Sequence, residues 1–385
     1  MNNIDKLYKY LPTDNIINWD LINNELLKPY YQNMVNTPQD PRWHKEGNVF
    51  IHTKMVCEKL IELKEYQSLS KINKLEVFLS CLFHDIGKTV CTKILDNEIA
   101  SPNHAITGSL MLREYLWKDL QISGTKEYQN FRETICLLVK YHSNPVYIGM
   151  DDNEVKVIKI SLNQQLASDF SLKLLLLLST ADVMGRICID SEEQLKCLKK
   201  FEKLAKNYNC FTESFSFLNS VTKFRYLNGK KIYPYDQLYD DTKSEVIMIC
   251  GLAGTGKDTY IKNNYSLPIV SLDNIRNLYK LTSSDDQGKV FNIAKEEMKN
   301  YLRNKENFIL NATNLHQQNR QKLVKLFTDY NAKVKIIFLE TSWNENINRN
   351  KNRKTAVNQK VIEKMLSSLN IVENYEAHSV EWICL

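Results

Sequence analysis

The chain lacks the features that mark secreted and membrane proteins. Its nine cysteines are an odd number with no Cys-x-x-Cys pair, which argues against a disulfide framework or a thiolate zinc site and for a reducing compartment. No signal-peptide pattern opens the sequence, and the most apolar run, residues 172–178, is short and broken by Lys173. We therefore expect a cytoplasmic protein with no membrane partner.

Internal repeats, low-complexity tracts and the Lys-x-Asp-Gly motif of nucleotidyltransferase ligases are also missing from the sequence. At 385 residues, the chain is long enough for two or three domains, each with its own core. Its 43% hydrophobic and 25% charged residues are ordinary for a soluble protein. The net charge of +6 fits a polyanionic substrate, but this signal is weak because many other proteins are as basic.

Hydrophobic periodicity divides the chain into two parts. Helical spacing dominates from about residue 15 to residue 209, which predicts an all-α domain over residues 1–210. After residue 245, strands and helices alternate, which predicts an α/β domain with a parallel sheet over residues 245–385. The predicted strands are residues 246–250, 269–270, 308–310 and 334–339. Residues 211–244, rich in aromatic and basic side chains, form a predicted connector that could stack bases or pack between domains.

A glycine loop, Gly251-x-x-Gly254-x-Gly256-Lys257, follows the first predicted strand and precedes a helix. In this setting backbone N–H groups converge on phosphate oxygens, and Lys257 would neutralise the β- and γ-phosphates. A glycine-rich turn with no ligand is the plainer alternative. The predicted nucleotide-binding residues are Gly251, Gly254, Thr255, Gly256, Lys257, Asp258, Thr259 and Arg353.

One position of this loop is unusual. Asp258 stands where such loops carry a Ser or Thr that reaches Mg²⁺, and Thr259 follows it. A carboxylate is also a good ligand for a hard cation, so either Asp258 or Thr259 could take the role. The sequence leaves both alternatives open.

Further charged residues follow the second and the last predicted strands. Asp273-x-x-Arg276 places both side chains on one side of a helical turn, where Asp273 could accept a proton from an acceptor hydroxyl and Arg276 could hold an acceptor phosphate. An N-cap Asp with a surface Arg is the plainer interpretation. A basic cluster, residues 349–354, includes Arg349 and Arg353 and could be either a lid over a triphosphate or a solvated face.

Five of the seven histidines lie before residue 143, together with two well-placed acids. The set is His44, His52, His84, Asp85, His104, His142 and Asp182. Imidazoles and carboxylates together are common ligands of catalytic divalent metals, although a single histidine is more often a core residue.

With these residues, the C-terminal half resembles the kinase domain of polynucleotide 5′-kinases. That family has a Gly-x-x-Gly-x-Gly-Lys loop, an Asp-x-x-Arg pair, a strand ending in Thr-Asn and a lid with two arginines four residues apart. The resemblance implies that Asp273 is the general base and that Arg276 clamps a phosphate on the 3′ side of the acceptor. It also implies that Arg349 and Arg353 are lid arginines acting with Lys257. Ala312 departs from the pattern, because the family has Asp before the Thr-Asn pair.

The N-terminal half resembles the HD phosphohydrolase superfamily, which is all-helical and metal-dependent. The stretch from Trp43 to His52 is similar to the HD module attached to some bacterial tRNA nucleotidyltransferases, and we expect His44 to lie at the rim of the pocket, outside the ligand set. The resemblance implies one or two divalent transition metals such as Mn²⁺, Ni²⁺ or Co²⁺. It assigns one metal to His52, His84, Asp85 and Asp182, a second metal or the scissile phosphate to His104 and His142, and a phosphate-pairing role to Lys88.

Together, the two halves resemble the bacterial HD-Pnk family over about residues 40–385. The resemblance implies a 5′-OH kinase that uses ATP or another NTP with Mg²⁺, and removal of 2′,3′-cyclic, 2′ or 3′ phosphates from RNA or DNA ends. Sealing would then need a separate ligase. One rival is a nucleoside or nucleotide kinase fused to an HD nucleotidase. Another is a nucleic-acid-binding regulator whose HD module is silent.

Overall fold

The structure is a computed structural model that describes residues 2–96, 98–280, 287–353 and 356–385. Lys354, at the end of the basic cluster, lies outside the described residues. The chain divides into two compact units. The N-terminal unit comprises Met1–Ile122 and Glu127–Phe215, and the C-terminal unit comprises Ser123–Lys126 and Ser216–Leu385.

The N-terminal unit is helical, as the periodicity predicts. Its α-helices are α1 (Trp19–Leu21), α2 (Tyr31–Asn36), α3 (Val49–Glu62), α4 (Lys64–Gln67), α5 (Lys71–Phe83), α6 (Lys88–Cys91), α7 (His104–Glu114), α8 (Lys126–Tyr141), α9 (Asn144–Asp151), α10 (Glu154–Ser161), α11 (Leu172–Met184) and α12 (Ser191–Asn207). Short 3₁₀ helices span Asp5–Tyr10 and Leu162–Gln165, and π-helical turns span Ile22–Leu26 and Tyr115–Asp119.

Three helices form the centre of this unit. α3, α5 and α11 pack against one another, and each begins at a polar cap: Asn48, Ser70 and Ser171 accept hydrogen bonds from main-chain N–H groups of the first turn. The leucine-rich run lies in α11 and is buried, because it supplies the core on several sides of the helix. In the described part of the chain, every helix is too short or too polar to cross a bilayer.

The unit also contains a small antiparallel sheet, which helical periodicity did not predict. It pairs β1 (Lys93–Leu95) with β2 (Glu98–Ala100), with Ile94 opposite Ile99. Three-residue strands with largely exposed side chains are too short to show an alternating pattern in the sequence.

The C-terminal unit is an α/β fold. Its elements are α13 (Ser220–Leu227), β3 (Ser244–Cys250), α14 (Lys257–Asn264), β4 (Ile269–Ser271), α15 (Leu272–Leu278), α16 (Gln287–Arg303), β5 (Phe308–Asn311), α17 (Gln317–Asp329), β6 (Ala332–Glu340), α18 (Trp343–Lys351), α19 (Gln359–Ser367), a 3₁₀ turn (Asn374–Glu376) and β7 (Ser379–Cys384).

The five strands form one parallel sheet in the order β4-β5-β3-β6-β7. The predicted parallel sheet is therefore confirmed, with one more strand, β7, at its edge. β3 lies in the centre, because its nearly continuous apolar side chains are buried on both faces. Behind the sheet, Arg320 of α17 forms a fully buried ion pair with Glu376 and also donates to main-chain oxygens. Arg320 therefore belongs to the core of this unit.

Candidate metal centre and nucleotide site

The N-terminal unit brings all six predicted metal ligands into one buried cluster. His52 lies on α3, His84 and Asp85 end α5, and Asp182 lies near the end of α11. The other two ligands, His104 and His142, lie at the start of α7 and directly after α8. His104 is the most exposed of the six, and its side chain is still only 22% exposed.

The nitrogen and oxygen atoms of the cluster converge. Nε2 of His52 lies 3.2 Å from Nε2 of His84 and 3.0 Å from Asp182 Oδ1. Asp85 lies between His84 on one side and His104 and His142 on the other. Its Oδ2 is 3.3 Å from His84 Nε2, and its Oδ1 is 3.4 Å from His104 Nε2 and 3.8 Å from His142 Nε2. A carboxylate in this position can bridge two cations.

Main-chain contacts orient three of the four imidazoles. Nδ1–H of His84, His104 and His142 donates to the carbonyl three residues earlier, at 2.8–2.9 Å. Each ring therefore presents Nε2 as the free lone pair, which is the form that ligates a metal.

The electrostatics of the cluster also fit a divalent metal. Burial raises the pKa of Asp85, but Lys88 and His84 together hold it well below its usual range, and Arg186 does the same for Asp182. Burial lowers the pKa of His142 to about 3 and lowers that of His104. Both carboxylates are thus ionised and the imidazoles of His104 and His142 neutral, whereas for His84 burial is outweighed by Asp85 and Asp182, which raise its pKa. A metal bound at His84 would displace its Nε2 proton.

One buried oxygen in the cluster lacks a hydrogen bond. Asp85 Oδ1 is buried, and no hydrogen bond of the described chain reaches it. Such an orphaned acceptor is costly unless a ligand occupies it. Together with the imidazoles, it makes a mixed nitrogen–oxygen donor set that suits Mn²⁺, Ni²⁺ or Co²⁺.

Cationic side chains hold the two ligand carboxylates. Lys88 Nζ lies 2.7 Å from Asp85 Oδ2 and also donates to Gln39 Oε1 at 2.6 Å. Arg186 forms an ion pair with Asp182, in which its Nε is 3.1 Å from Oδ1. These charges can also pair with the oxygens of a phosphoryl group.

The sequence did not identify three of the residues in this site: Gln39, Glu46 and Arg186. Arg186 could have been found from its spacing, because it follows Asp182 by four residues, one helical turn. Glu46 carries no such signal beyond its place two residues after His44.

In the C-terminal unit, the glycine loop joins β3 to α14. Gly254 and Gly256 have φ of 90° and 91°, the left-handed region that glycine adopts without strain. Gly256 caps α14, so main-chain N–H groups at the helix start face the loop. The Thr255 hydroxyl is buried and donates to Leu252 O at 3.0 Å.

Lys257 opens α14 and is held by the loop itself. Its Nζ donates to the main-chain oxygens of Gly251 at 3.2 Å and Leu252 at 2.8 Å. Burial lowers the pKa of Lys257 to about 8, and Arg353 adds to this effect, whereas Asp258 and Asp273 oppose it. The structure therefore places these three charged side chains within electrostatic range of Lys257.

Asp258 contacts the end of a neighbouring strand. The buried Asn311, the last residue of β5, donates from Nδ2 to Asp258 Oδ1 at 2.7 Å. Thr259 is exposed. The carboxylate of Asp258 is thus directed to the carboxyl end of the sheet.

The residues predicted to hold the acceptor and to form a lid follow β4 and β6. Asp273, in the first turn of α15, is largely exposed and pairs with Arg276 at 2.6 Å. Arg349 of α18 lies 3.4 Å from Thr255 O, and the exposed Arg353 follows the end of α18.

Comparisons with known proteins match both units. A family model described as HD domain matches residues 49–161, and one described as AAA domain matches residues 246–371. They confirm the predicted architecture, an HD domain followed by a P-loop, kinase-like domain.

Two individual proteins are also similar to this chain. A multifunctional CCA protein of Psychromonas ingrahamii is 30% identical over 120 residues, which are 31% of this chain and 25% of that protein, so the match spans about a quarter of the relative. A gluconokinase structure from Sinorhizobium meliloti shares 15% identity, with a TM-score of 0.27, and covers 37% of this chain and 83% of that one.

Proposed function

We propose that the chain prepares both ends of a broken nucleic acid strand for sealing. The C-terminal unit phosphorylates a 5′-hydroxyl with an NTP, and the N-terminal unit removes 2′,3′-cyclic, 2′ or 3′ phosphates. One observation carries the proposal: a complete HD ligand set occurs on the same chain as a phosphate loop that is accompanied by the Asp273–Arg276 pair. A separate ligase would join the ends.

In the kinase step, the hydroxyl oxygen of the acceptor attacks the γ-phosphorus while the bond to the β–γ bridging oxygen breaks. Asp273 accepts the hydroxyl proton, and Arg276 holds a phosphate on the 3′ side of the acceptor. Lys257 exchanges its loop carbonyls for the β- and γ-phosphate oxygens, and Arg349 and Arg353 neutralise charge that develops in transfer. Asp258 is placed to hold the Mg²⁺ that accompanies the nucleotide.

In each phosphatase step, water attacks phosphorus and one ester bond to a ribose oxygen breaks, which leaves a hydroxyl. A 2′,3′-cyclic phosphate is first opened to a monophosphate, and a second hydrolysis releases inorganic phosphate. His52, His84, Asp85 and Asp182 would hold one divalent metal, and His104 and His142 would hold a second metal or the scissile phosphate; such a metal would polarise the phosphoryl oxygen and supply hydroxide at neutral pH. Lys88 and Arg186 hold phosphoryl oxygens, because each is already placed beside a ligand carboxylate. Hydrogen bonds to main-chain carbonyls keep Nε2 of His84, His104 and His142 directed at the centre of the cluster.

Two specific features weigh against the rival functions. A nucleoside kinase would have no use for Arg276 as a clamp on a second phosphate of the acceptor. A silent HD module would have no need of converging imidazoles and an orphaned Asp85 oxygen.

The test is an end-group assay on an RNA with a 5′-OH and a 2′,3′-cyclic phosphate, with ATP and each of several metals. Lys257→Ala and Asp273→Ala should lower 5′ labelling at least 100-fold and leave phosphate removal intact. His84→Ala and Asp85→Ala should do the reverse. Lys262→Ala and Asp151→Ala, exposed residues on α14 and α9, serve as matched controls and should change neither activity.

Two results would contradict the proposal. Activity on mononucleosides but not on oligomers would favour the nucleoside kinase. Loss of both activities from a single change in a chain that remains folded would rule out two separate sites.

A further inference from the structure

We infer that Glu46 is a positioning residue for the HD site, a role that rests on the proposed phosphatase activity. Its Oε1 fixes the ring orientation of both His52 and His44. Through these rings, it sets the direction of one metal ligand and the place of Lys88.

His52 is oriented differently from the other three ligand imidazoles. His84, His104 and His142 each donate to a neutral carbonyl of their own helix end. Nδ1 of His52 instead lies 2.9 Å from Glu46 Oε1, a charged contact that is bent relative to an ideal hydrogen bond. A carboxylate behind a ligating imidazole holds the ring and raises its basicity more than a carbonyl does.

The same oxygen also contacts His44. Nδ1 of His44 lies 2.8 Å from Glu46 Oε1. A carboxylate oxygen only accepts, so His44 carries its proton on Nδ1 and a lone pair on Nε2, which faces Lys88 Nζ at 3.4 Å. His52 has a carboxylate at each nitrogen, Glu46 Oε1 at Nδ1 and Asp182 Oδ1 3.0 Å from Nε2. When Nε2 of His52 ligates a metal, its proton is on Nδ1 and faces Glu46.

His44 therefore acts on phosphate binding through Lys88. Lys88 Nζ has three neighbours, Asp85 Oδ2 at 2.7 Å, Gln39 Oε1 at 2.6 Å and His44 Nε2 at 3.4 Å. With the opposite tautomer, His44 would present an N–H to the ammonium group and repel it. The position of Lys88 thus depends on the proton that Glu46 keeps on the far side of the His44 ring.

Glu46 is itself held firmly. Its side chain is 1% exposed, and its Oε2 accepts a hydrogen bond from the main-chain N–H of Ile187 at 3.0 Å. Lys45 N–H donates to Ile187 O at 3.2 Å. Glu46 lies just before α3, which carries His52, and Ile187 lies just after α11, which carries Asp182. The two hydrogen bonds therefore join the start of one helix to the end of the other.

The test is Glu46→Gln in the full chain. Glutamine has the same shape but only one accepting oxygen, so either the Ile187 N–H or the two imidazole N–H groups face an amide NH₂. We expect apparent affinity for Mn²⁺ and for Ni²⁺ to fall about 10- to 100-fold, measured by equilibrium dialysis with metal analysis. With ¹⁵N-labelled histidine, the side-chain shifts of His52 and His44 should leave the Nδ1-protonated pattern.

Glu62→Gln, an exposed glutamate on the same helix as His52, is the matched control and should leave metal affinity and shifts unchanged. Kinase activity and thermal unfolding report whether each variant is folded. If Glu46→Gln does not fold, Glu46→Asp decides, because it keeps the charge with a shorter reach and should weaken metal binding by an intermediate factor.

A folded Glu46→Gln variant with wild-type metal affinity and wild-type histidine shifts would overturn the inference. These two measurements need no substrate. If the variant loses metal affinity but the wild type hydrolyses no phosphoester, the proposed function fails and the positioning role of Glu46 stands.

Discussion

Asp258 is the residue by which this phosphate loop differs most from the usual pattern, and the structure gives it a partner. The amide of Asn311 donates to its carboxylate from the end of β5. Because the Asn311 amide carries no charge, this hydrogen bond orients the Asp258 carboxylate without a competing cation. Asp258 and Thr259 are both exposed, but the contact with Asn311 directs the Asp258 carboxylate to the end of β5 and so favours Asp258 as the Mg²⁺ ligand.

We expect Asp258→Ala to weaken Mg²⁺-dependent ATP binding by about tenfold or more, because a hard oxygen ligand is lost. Thr259→Ala should leave it unchanged. The measurement is ATP affinity by calorimetry over a series of Mg²⁺ concentrations, with binding in EDTA as the baseline. A larger loss for Thr259→Ala than for Asp258→Ala would assign the role to the threonine.

Sequence patterns predicted the candidate ligands but not the residues that orient them. His84 and Asp85 are adjacent, and a metal-binding residue type is recognisable wherever it stands. Glu46 is held by Ile187, which lies 141 positions away, and contacts the rings of His44 and His52, which converge on it in the folded chain. Contacts of this kind depend on how loops pack, and a single sequence carries no periodic signal for them.

At the scale of elements, the strands β3 to β6 were predictable and β7 was not. β3 and the second half of β6 are apolar on both faces, so they appear as continuous apolar runs. In β7, Val380 and Trp382 are buried on one face, whereas on the other face Ile383 packs against the core cluster and the exposed Glu381 pairs with Lys335. Alternation over so few residues is hard to distinguish from a loop.

The contact between β6 and His378, which immediately precedes β7, should depend on pH. Val334 N–H donates to Nδ1 of the buried His378, whose ring stacks on Phe224. Burial lowers the pKa of His378 to about 4, and Lys333 contributes in the same direction. Because the folded-state pKa lies below the unfolded value of 6.5, the unfolded chain takes up the proton first. The contribution of the neutral His378 to the free energy of unfolding is therefore present in full above pH 6.5 and is lost as the pH falls towards 4.

The loss should be on the order of 3 kcal/mol across that window. Hydrogen exchange of the Val334 amide, compared between wild type and His378→Gln at each pH, measures it. Glutamine can accept the same hydrogen bond but does not titrate, so protection should fall with acid in the wild type only. Amides of residues 336–339 in the same strand are the internal reference, and parallel behaviour of the two proteins would refute the prediction.

The whole molecule carries two candidate cation sites of different chemistry. The HD cluster offers four imidazoles and two carboxylates, a donor set for transition metals, whereas the loop offers the oxygen of Asp258 beside phosphate. Each unit was recognisable from its own motifs, but the sequence could not show that the six ligands would meet, because they lie on five separate segments of chain.

After treatment with EDTA, we expect Mg²⁺ alone to restore 5′ phosphorylation but not phosphate removal. Mn²⁺, Ni²⁺ or Co²⁺ should restore phosphate removal. The measurement is the end-group assay with one metal added back at a time. Recovery of both activities by Mg²⁺ alone would contradict this division of metals.

The strand order of the sheet bears on how two substrates reach one loop. β3, which leads into the loop, lies between β5 and β6. The residues assigned to the acceptor follow β4, beyond β5, and the arginines assigned to the nucleotide follow β6. Under the proposed function, each substrate would thus have its own flank of the sheet and would not have to leave before the other arrives. The phosphoryl group would then pass directly between two molecules bound together, without first being stored on the protein.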